Sequence, residues 1–164
     1  HRHGFTLIEL MVTLAVLAIL LAWGVPAFRE MLSNNRMAEA ANRLVASLHY
    51  ARTEALRRNR CVQVRAAGSP ADWSQGWTVE ADQSLDCSGA SYQTLRSEPG
   101  LGGSLTLSES GGASSLVYRG DGALDSPTAG VTLDLCDADR TGEKGRRIVI
   151  NAAGRPSLSE ITCS

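Results

Sequence analysis

In Gly4-Phe5-Thr6-Leu7-Ile8-Glu9-Leu10 a single carboxylate stands at the head of an apolar stretch. From Leu10 to Phe28 only Thr13 and Trp23 carry polar side-chain atoms. A glutamate in a membrane helix costs a few kcal/mol, less near the helix end, so Glu9 calls for a partner. Cleavage between Gly4 and Phe5 would create one. The new α-amino group carries a positive charge four residues from Glu9. In a helical assembly the amine of one subunit can pair with the Glu9 of its neighbour, which offsets the burial cost.

The four cysteines, Cys61, Cys87, Cys136 and Cys163, form no C-x-x-C pair, and the histidines His1, His3 and His49 give no metal-ligand spacing. No metal site and no cofactor are expected. An even count behind an export signal reads as two disulfides, against the alternative of four buried free thiols. Three connectivities are open to four thiols. Cys61–Cys87 with Cys136–Cys163 joins sequence-near partners and needs the least chain crossing. Each bridge would add roughly 3 kcal/mol by constraining the unfolded chain.

No H-E-x-x-H, G-x-S-x-G, S-x-x-K or phosphate-loop pattern occurs. Asp134, Asp137, Asp139 and Glu143 cluster around Arg140-Thr141-Gly142. They lack the bidentate glutamate at calcium-loop spacing, so a solvated turn is the expectation. The chemistry expected here is done to the chain, not by it, and no enzyme activity is expected.

The apolar stretch has three readings. It can be a secretory signal cut after Ala22-Trp23-Gly24, a plain membrane anchor, or a segment retained after cleavage behind Gly4. About 20 apolar residues cross a bilayer as a helix. His1, Arg2 and His3 form a positive flank that stays cytoplasmic, with the head on the far side. The first residue is not Met, which reads as a shortened leader.

Beyond Pro26, Met37, Ala41, Leu44, Leu48, Ala51 and Ala55 recur at steps of four and three, giving one apolar helical stripe. A helix from Phe5 to about Arg58 would be roughly 80 Å long. Pro26 is expected to kink or locally unwind it. Arginines flank the stripe, but Glu30, Glu39 and Glu54 interleave with them, as on a solvated face. After Asn59 the period falls to two over 61–65, 77–80, 104–108, 116–119, 131–135 and 147–150, with glycine-rich turns between several of these runs. An antiparallel sheet head packed on the second half of the helix is predicted, an α+β architecture. The predicted divisions are 1–4 (residual leader), 5–28 (transmembrane or filament-core helix), 29–58 (amphipathic helix) and 59–164 (β-rich head). A formal net charge of −1 gives no general argument for nucleic acid or acidic membrane surfaces.

The 4–10 motif resembles the processing signal of type IV pilins and type II secretion pseudopilins. Asp72-Trp73-Ser74-Gln75-Gly76-Trp77-Thr78-Val79, with its W-x-x-G-W core, is similar to a strand of the FimT/FimU/GspH minor pilin group. The segments 116–122 and 148–155 resemble that group's later strand–turn motifs. The resemblance implies the type IV pilin fold. It also implies cleavage after Gly4 by prepilin peptidase, N-methylation of Phe5 and an assembly role for Glu9. Further implications are an inner-membrane stage with a periplasmic head, then an extracellular pilus fibre shared with other minor pilins and the major pilin. The function implied is priming or capping of a fibre used in motility, adhesion or DNA uptake. Two alternatives are a GspH-like pseudopilin of type II secretion and a FimT-like DNA receptor. FimT-type members carry a G-R-x-R contact motif. Here Gly154-Arg155-Pro156-Ser157 lacks the second arginine, which leaves Arg146, Arg147 and Arg155 as the candidate DNA contacts. Trp73 and Trp77 are expected in the core.

Overall fold

The computed structural model describes residues 6–84, 87–89, 91–140, 142 and 144–163; for Pro26 and Ala27 it describes the backbone only. The elements run α1 (Leu7–Arg58), β1 (Val62–Gly68), β2 (Asp72–Asp82), β3 (Tyr92–Pro99), β4 (Leu105–Glu109), β5 (Ser115–Tyr118), β6 (Leu124–Ser126), β7 (Val131–Asp137), β8 (Lys144–Ile150) and β9 (Pro156–Thr162). The chain divides into two units, 1–36 and 37–164.

In the first unit, the α1 side chains from Leu7 to Val25 all lie exposed. By length and composition α1 is long and apolar enough to cross a membrane. It runs without a break through position 26, so the unwinding expected at Pro26 does not occur. A proline removes one N–H from the helical ladder, and the bonds on either side keep the turn closed.

In the second unit, every member of the predicted stripe is buried: Met37, Ala41, Leu44, Leu48, Ala51 and Ala55. Three alanines in the stripe let the helix axis approach the sheets closely. Two antiparallel sheets supply the other walls, in the orders β3-β2-β1-β5-β6 and β4-β7-β8-β9. Their inward residues join the helix in one apolar cluster: Val62 and Val64 from β1, Trp73, Trp77 and Val79 from β2, Leu116 and Tyr118 from β5, Leu133 and Leu135 from β7, Ile148 and Ile150 from β8.

The six predicted strands are present. β3, β6 and β9 were not predicted, and each is an edge strand. β9 reads intermediate–exposed–exposed–exposed–exposed–intermediate–exposed, and β3 buries only Glu98. A strand solvated on both faces needs no apolar alternation, so the period-two signal is missing.

The two strand–turn motifs at 116–122 and 148–155 meet. Leu124 N–H donates to Ala152 C=O at 3.0 Å, and Gly154 packs on the Gly122 carbonyl and the Tyr118 ring. Gly154 has φ +72°, and a Cβ there would strike both neighbours. Arg52 ties this corner to the helix, its Nε donating to Gly122 C=O at 2.9 Å.

Glu54 stands near the helix C-terminus, where the macrodipole disfavours an anion. Arg57 Nη2 and Arg58 Nε donate to its Oε2 at 2.8 and 2.7 Å. The Arg57 hydrogen bond first, and Arg58 next, hold the Glu54 carboxyl below the usual carboxylate range, against the opposing effect of burial. A carboxyl with a depressed folded pKa stabilises the fold above its unfolded pKa, and that contribution is lost as pH falls through the folded pKa. Glu54→Gln is therefore expected to lower the unfolding midpoint at pH 7. The gap to the native chain should close as pH falls through and below the ordinary glutamate range. A gap unchanged across that range in urea titrations would refute the assignment.

Candidate functional site

Gly4 and Phe5 lie outside the described residues. The helix starts one residue after Thr6, and the Glu9 N–H donates to Thr6 Oγ1 at 3.3 Å. Thr6 is thus the N-cap and Glu9 the third helical residue, the T-x-x-E spacing of a capping box. That spacing was legible in the sequence but is masked there by the apolar context. Glu9 has a local reason to sit where it does, in the first turn, where the helix dipole favours an anion. Its side chain is exposed. Leu7, Ile8, Met11, Ile19, Leu20 and Trp23 surround the same helix with apolar surface, Trp23 at 81% exposure.

Arg43, Arg52, Arg57 and Arg58 of α1, and Arg60 just after it, serve the head. The Arg43 guanidinium carbon lies 5.6 Å from the Trp77 ring centroid, and its Nε lies 3.8 Å from Glu98 Oε2. Arg52, Arg57 and Arg58 make the contacts given above. Arg60 Nη1 donates to Gln83 C=O. Trp73 and Trp77 are fully buried, and the Trp73 indole N–H donates to Ala113 C=O at 3.0 Å. These residues do packing work.

Arg146, Arg147 and Arg155 do not form one patch. Arg146 and Arg147 are successive residues of β8, so their side chains leave opposite faces of the sheet. Arg146 Nη1 pairs with Glu160, and that carboxylate also takes Lys144 Nζ at 3.4 Å. Arg146 and then Lys144 hold the Glu160 carboxyl below its ordinary range. Arg147 forms a two-pronged pair with Asp134, Nε to Oδ1 and Nη2 to Oδ2, both at 2.7 Å. Arg155 lies exposed in the turn before β9, its backbone N–H on Asn151 Oδ1 at 3.0 Å.

The acidic cluster is spent in the same way. Asp134 holds Arg147, and Asp137 accepts from Ser104 Oγ and the Asp139 N–H. Glu143 and Thr141 lie outside the described residues. Among the described residues no group of His, Cys, Asp and Glu could hold a metal ion.

Cys61 is bonded to Cys87 and Cys136 to Cys163. The second bridge, with Cα atoms 5.9 Å apart, lies against the middle of its sheet. Cys136 belongs to β7 and Cys163 follows β9, so the bridge passes over β8 at Gly145. A Cβ on Gly145 would strike the Cys163 sulfur, the Leu135 carbonyl and the Cys136 sulfur. Neither the passage nor the glycine that permits it was foreseen.

A long helix with an apolar first half, a second half buried in the head, and antiparallel sheets built around it make the type IV pilin fold. The family model described as "Prokaryotic N-terminal methylation motif" matches residues 1–25, and "Type II transport protein GspH" matches residues 40–154. The chain belongs to the FimT/FimU/GspH family of minor pilins and pseudopilins, a family of structural proteins. The type IV minor pilin FimU of Pseudomonas aeruginosa is 30% identical, covering 79% of this chain and 92% of that one, with a TM-score of 0.65. A second crystal form of FimU gives 31% identity, 74% and 91% coverage and a TM-score of 0.61. The minor pseudopilin EpsH from the type 2 secretion system of Vibrio cholerae shares the fold at 15% identity, 76% and 96% coverage and a TM-score of 0.58. No curated protein matches the chain.

Proposed function

We propose that this chain is a minor pilin that enters a type IV pilus and helps to prime or cap it, beside other minor pilins and the major pilin. The observation that carries this reading is the 30% identity to a type IV minor pilin across most of both chains. In this reading residues 1–4 are removed by prepilin peptidase and Phe5 is N-methylated. Residues 5–28 hold the subunit in the inner membrane and then in the fibre core. Residues 29–58 and the head 59–164 lie on the far side of that membrane. The new Phe5 amine of one subunit neutralises the Glu9 of the next. The capping of the Glu9 N–H by Thr6 is compatible with this, because that contact leaves the Glu9 carboxylate available.

The pseudopilin of a type II secretion system is the second reading, favoured by the family model over residues 40–154. Recovery of the chain from sheared surface pili supports the first reading, and recovery only from a secretion fibre supports the second. A DNA receptor is the weaker alternative, since Arg146 and Arg147 are each committed to a carboxylate on opposite faces.

The test is the mature chain itself. Its mass should correspond to a methylated Phe5 start. Glu9→Ala should still be processed, but its recovery in fibres should drop at least about tenfold, the loss expected when one buried charge is left without its partner. A mature chain beginning at Val25, or normal fibre content for Glu9→Ala, would overturn the reading.

A further inference from the structure

The second sheet ends at β9, whose outer edge carries unpaired backbone groups. One bond fixes the phase of the ladder. Asn151 N–H donates to Arg155 C=O at 3.2 Å, and the pairing continues as Val149↔Ser157, Arg147↔Ser159 and Gly145↔Ile161. Hydrogen-bonded pairs recur at every second residue of an antiparallel ladder. Ser157, Ser159 and Ile161 therefore turn their backbone groups to β8, and Leu158, Glu160 and Thr162 turn theirs outward. Among the described residues no strand lies on that side.

The other edges are shorter or guarded. β6 has three residues and β4 five. β3 ends in Pro99, carries the Arg96–Glu98 ion pair and meets a register shift at Val79/Glu80. β9 has seven residues and one charged side chain, Glu160, already held by Arg146 and Lys144. A long edge with so little charge is a template for another strand.

A cavity of about 310 Å³ runs beside this edge, lined by Ala38 and Asn42 of α1 and by Arg146, Leu158, Ser159 and Glu160. Leu158 stands at its wall, 46% exposed. Two cations and one carboxylate leave this rim with a net positive charge. Lys144, opposite Thr162 in the register, is 77% exposed. A second copy of this chain is a poor occupant. Antiparallel self-pairing through all three outward residues sets Glu160 against Glu160, and like charges directly opposed destabilise a ladder.

We propose that β9 is a docking edge for an extended segment of a different subunit of the same assembly. The segment adds a strand antiparallel to β9, sets an apolar side chain opposite Leu158 into the cavity, and places a carboxylate opposite Thr162 within reach of Lys144. The carboxylate lies two strand spacings from Lys144, about 10 Å, a gap that two long side chains close together. In the direction of the incoming strand it precedes the apolar residue by four positions, the separation of Leu158 and Thr162. This proposal rests on the co-assembly reading above.

The test uses the full-length chain in detergent, alone and in complexes formed with the co-expressed subunits of its own fibre. The amides of Leu158, Glu160 and Thr162 should exchange fast in the free chain and at least about 100-fold slower in the assembly, as groups buried in a ladder do. Leu158→Pro removes an outward N–H and leaves every bond to β8 in place, so an edge strand tolerates it. It should fold with a native melting midpoint, be processed normally, and be recovered in the assembly at about one tenth of the native level or less. Lys144→Glu should weaken recovery in the same direction. Assembly with these amides still fast, or with Leu158→Pro incorporated normally, overturns the docking edge and leaves co-assembly standing. No assembly of the native chain with any fibre subunit overturns both. Should Leu158→Pro misfold, the exchange of the native chain still decides.

Discussion

Trp77→Ala is expected to destabilise the head by about 3–5 kcal/mol, among the largest single-residue losses in this fold. The indole is fully buried. It fills the space between β2 and the helix, and Arg43 lies over its face. Removing it leaves a large cavity in a close-packed layer, and it also leaves the Arg43 guanidinium without its aromatic platform beside the buried Glu98. Against the total stability of about 5–15 kcal/mol usual for a domain, that loss unfolds a sizeable fraction of molecules at growth temperature. Trp77→Phe should cost far less. The indole N–H has no hydrogen-bond partner, so replacing it with a smaller ring abandons no bond. Trp23→Ala is the internal control. Trp23 lies exposed on the first half of the helix, and its removal should leave head stability within about 0.5 kcal/mol. Urea unfolding of the full chain in detergent distinguishes the three. A Trp77→Ala midpoint equal to the Trp23→Ala midpoint would remove Trp77 from its assigned place.

Gly145→Val should prevent the Cys136–Cys163 bridge from forming. The bridge passes over β8 at this residue, and no side chain fits between the two sulfurs and the Leu135 carbonyl. Two free thiols should then label with a maleimide reagent under denaturing conditions, where the native chain shows none. Stability should fall by about 3 kcal/mol for the lost constraint. The double variant Cys136→Ser with Cys163→Ser should lose a similar amount, because it removes the same loop closure without crowding the strand. Native stability and no labelling in Gly145→Val would mean that the strand yields and the glycine is dispensable.

The core was readable from the sequence because it is periodic. The stripe from Met37 to Ala55 and the inward residues of β1, β7 and β8 each repeat with the period of their element. What was not readable has one physical origin. β3, β6 and β9 are sheet edges that bury one side chain at most, Glu98 in β3 and Leu124 in β6, so nothing obliges their residues to alternate. The candidate site divides the same way. The apolar stretch and Glu9 announce themselves, because a carboxylate among apolar residues is costly. The fate of Arg146 and Arg147 does not, because their partners Glu160 and Asp134 lie fourteen and thirteen residues away. Cation spacing along a strand says nothing about cross-strand neighbours. Three arginines near one another in sequence therefore looked like a patch, and the register separates them.

The crossing of β8 by a covalent bridge decides where a pull on the head is felt. Traction on the chain beyond Cys163 passes through sulfur straight into β7, so β8 and β9 are bypassed and cannot be peeled away in sequence. Residues 137–162 form slack that carries no load until the bridge is reduced. The head should therefore yield as a block under a stretching force instead of unzipping from its tail.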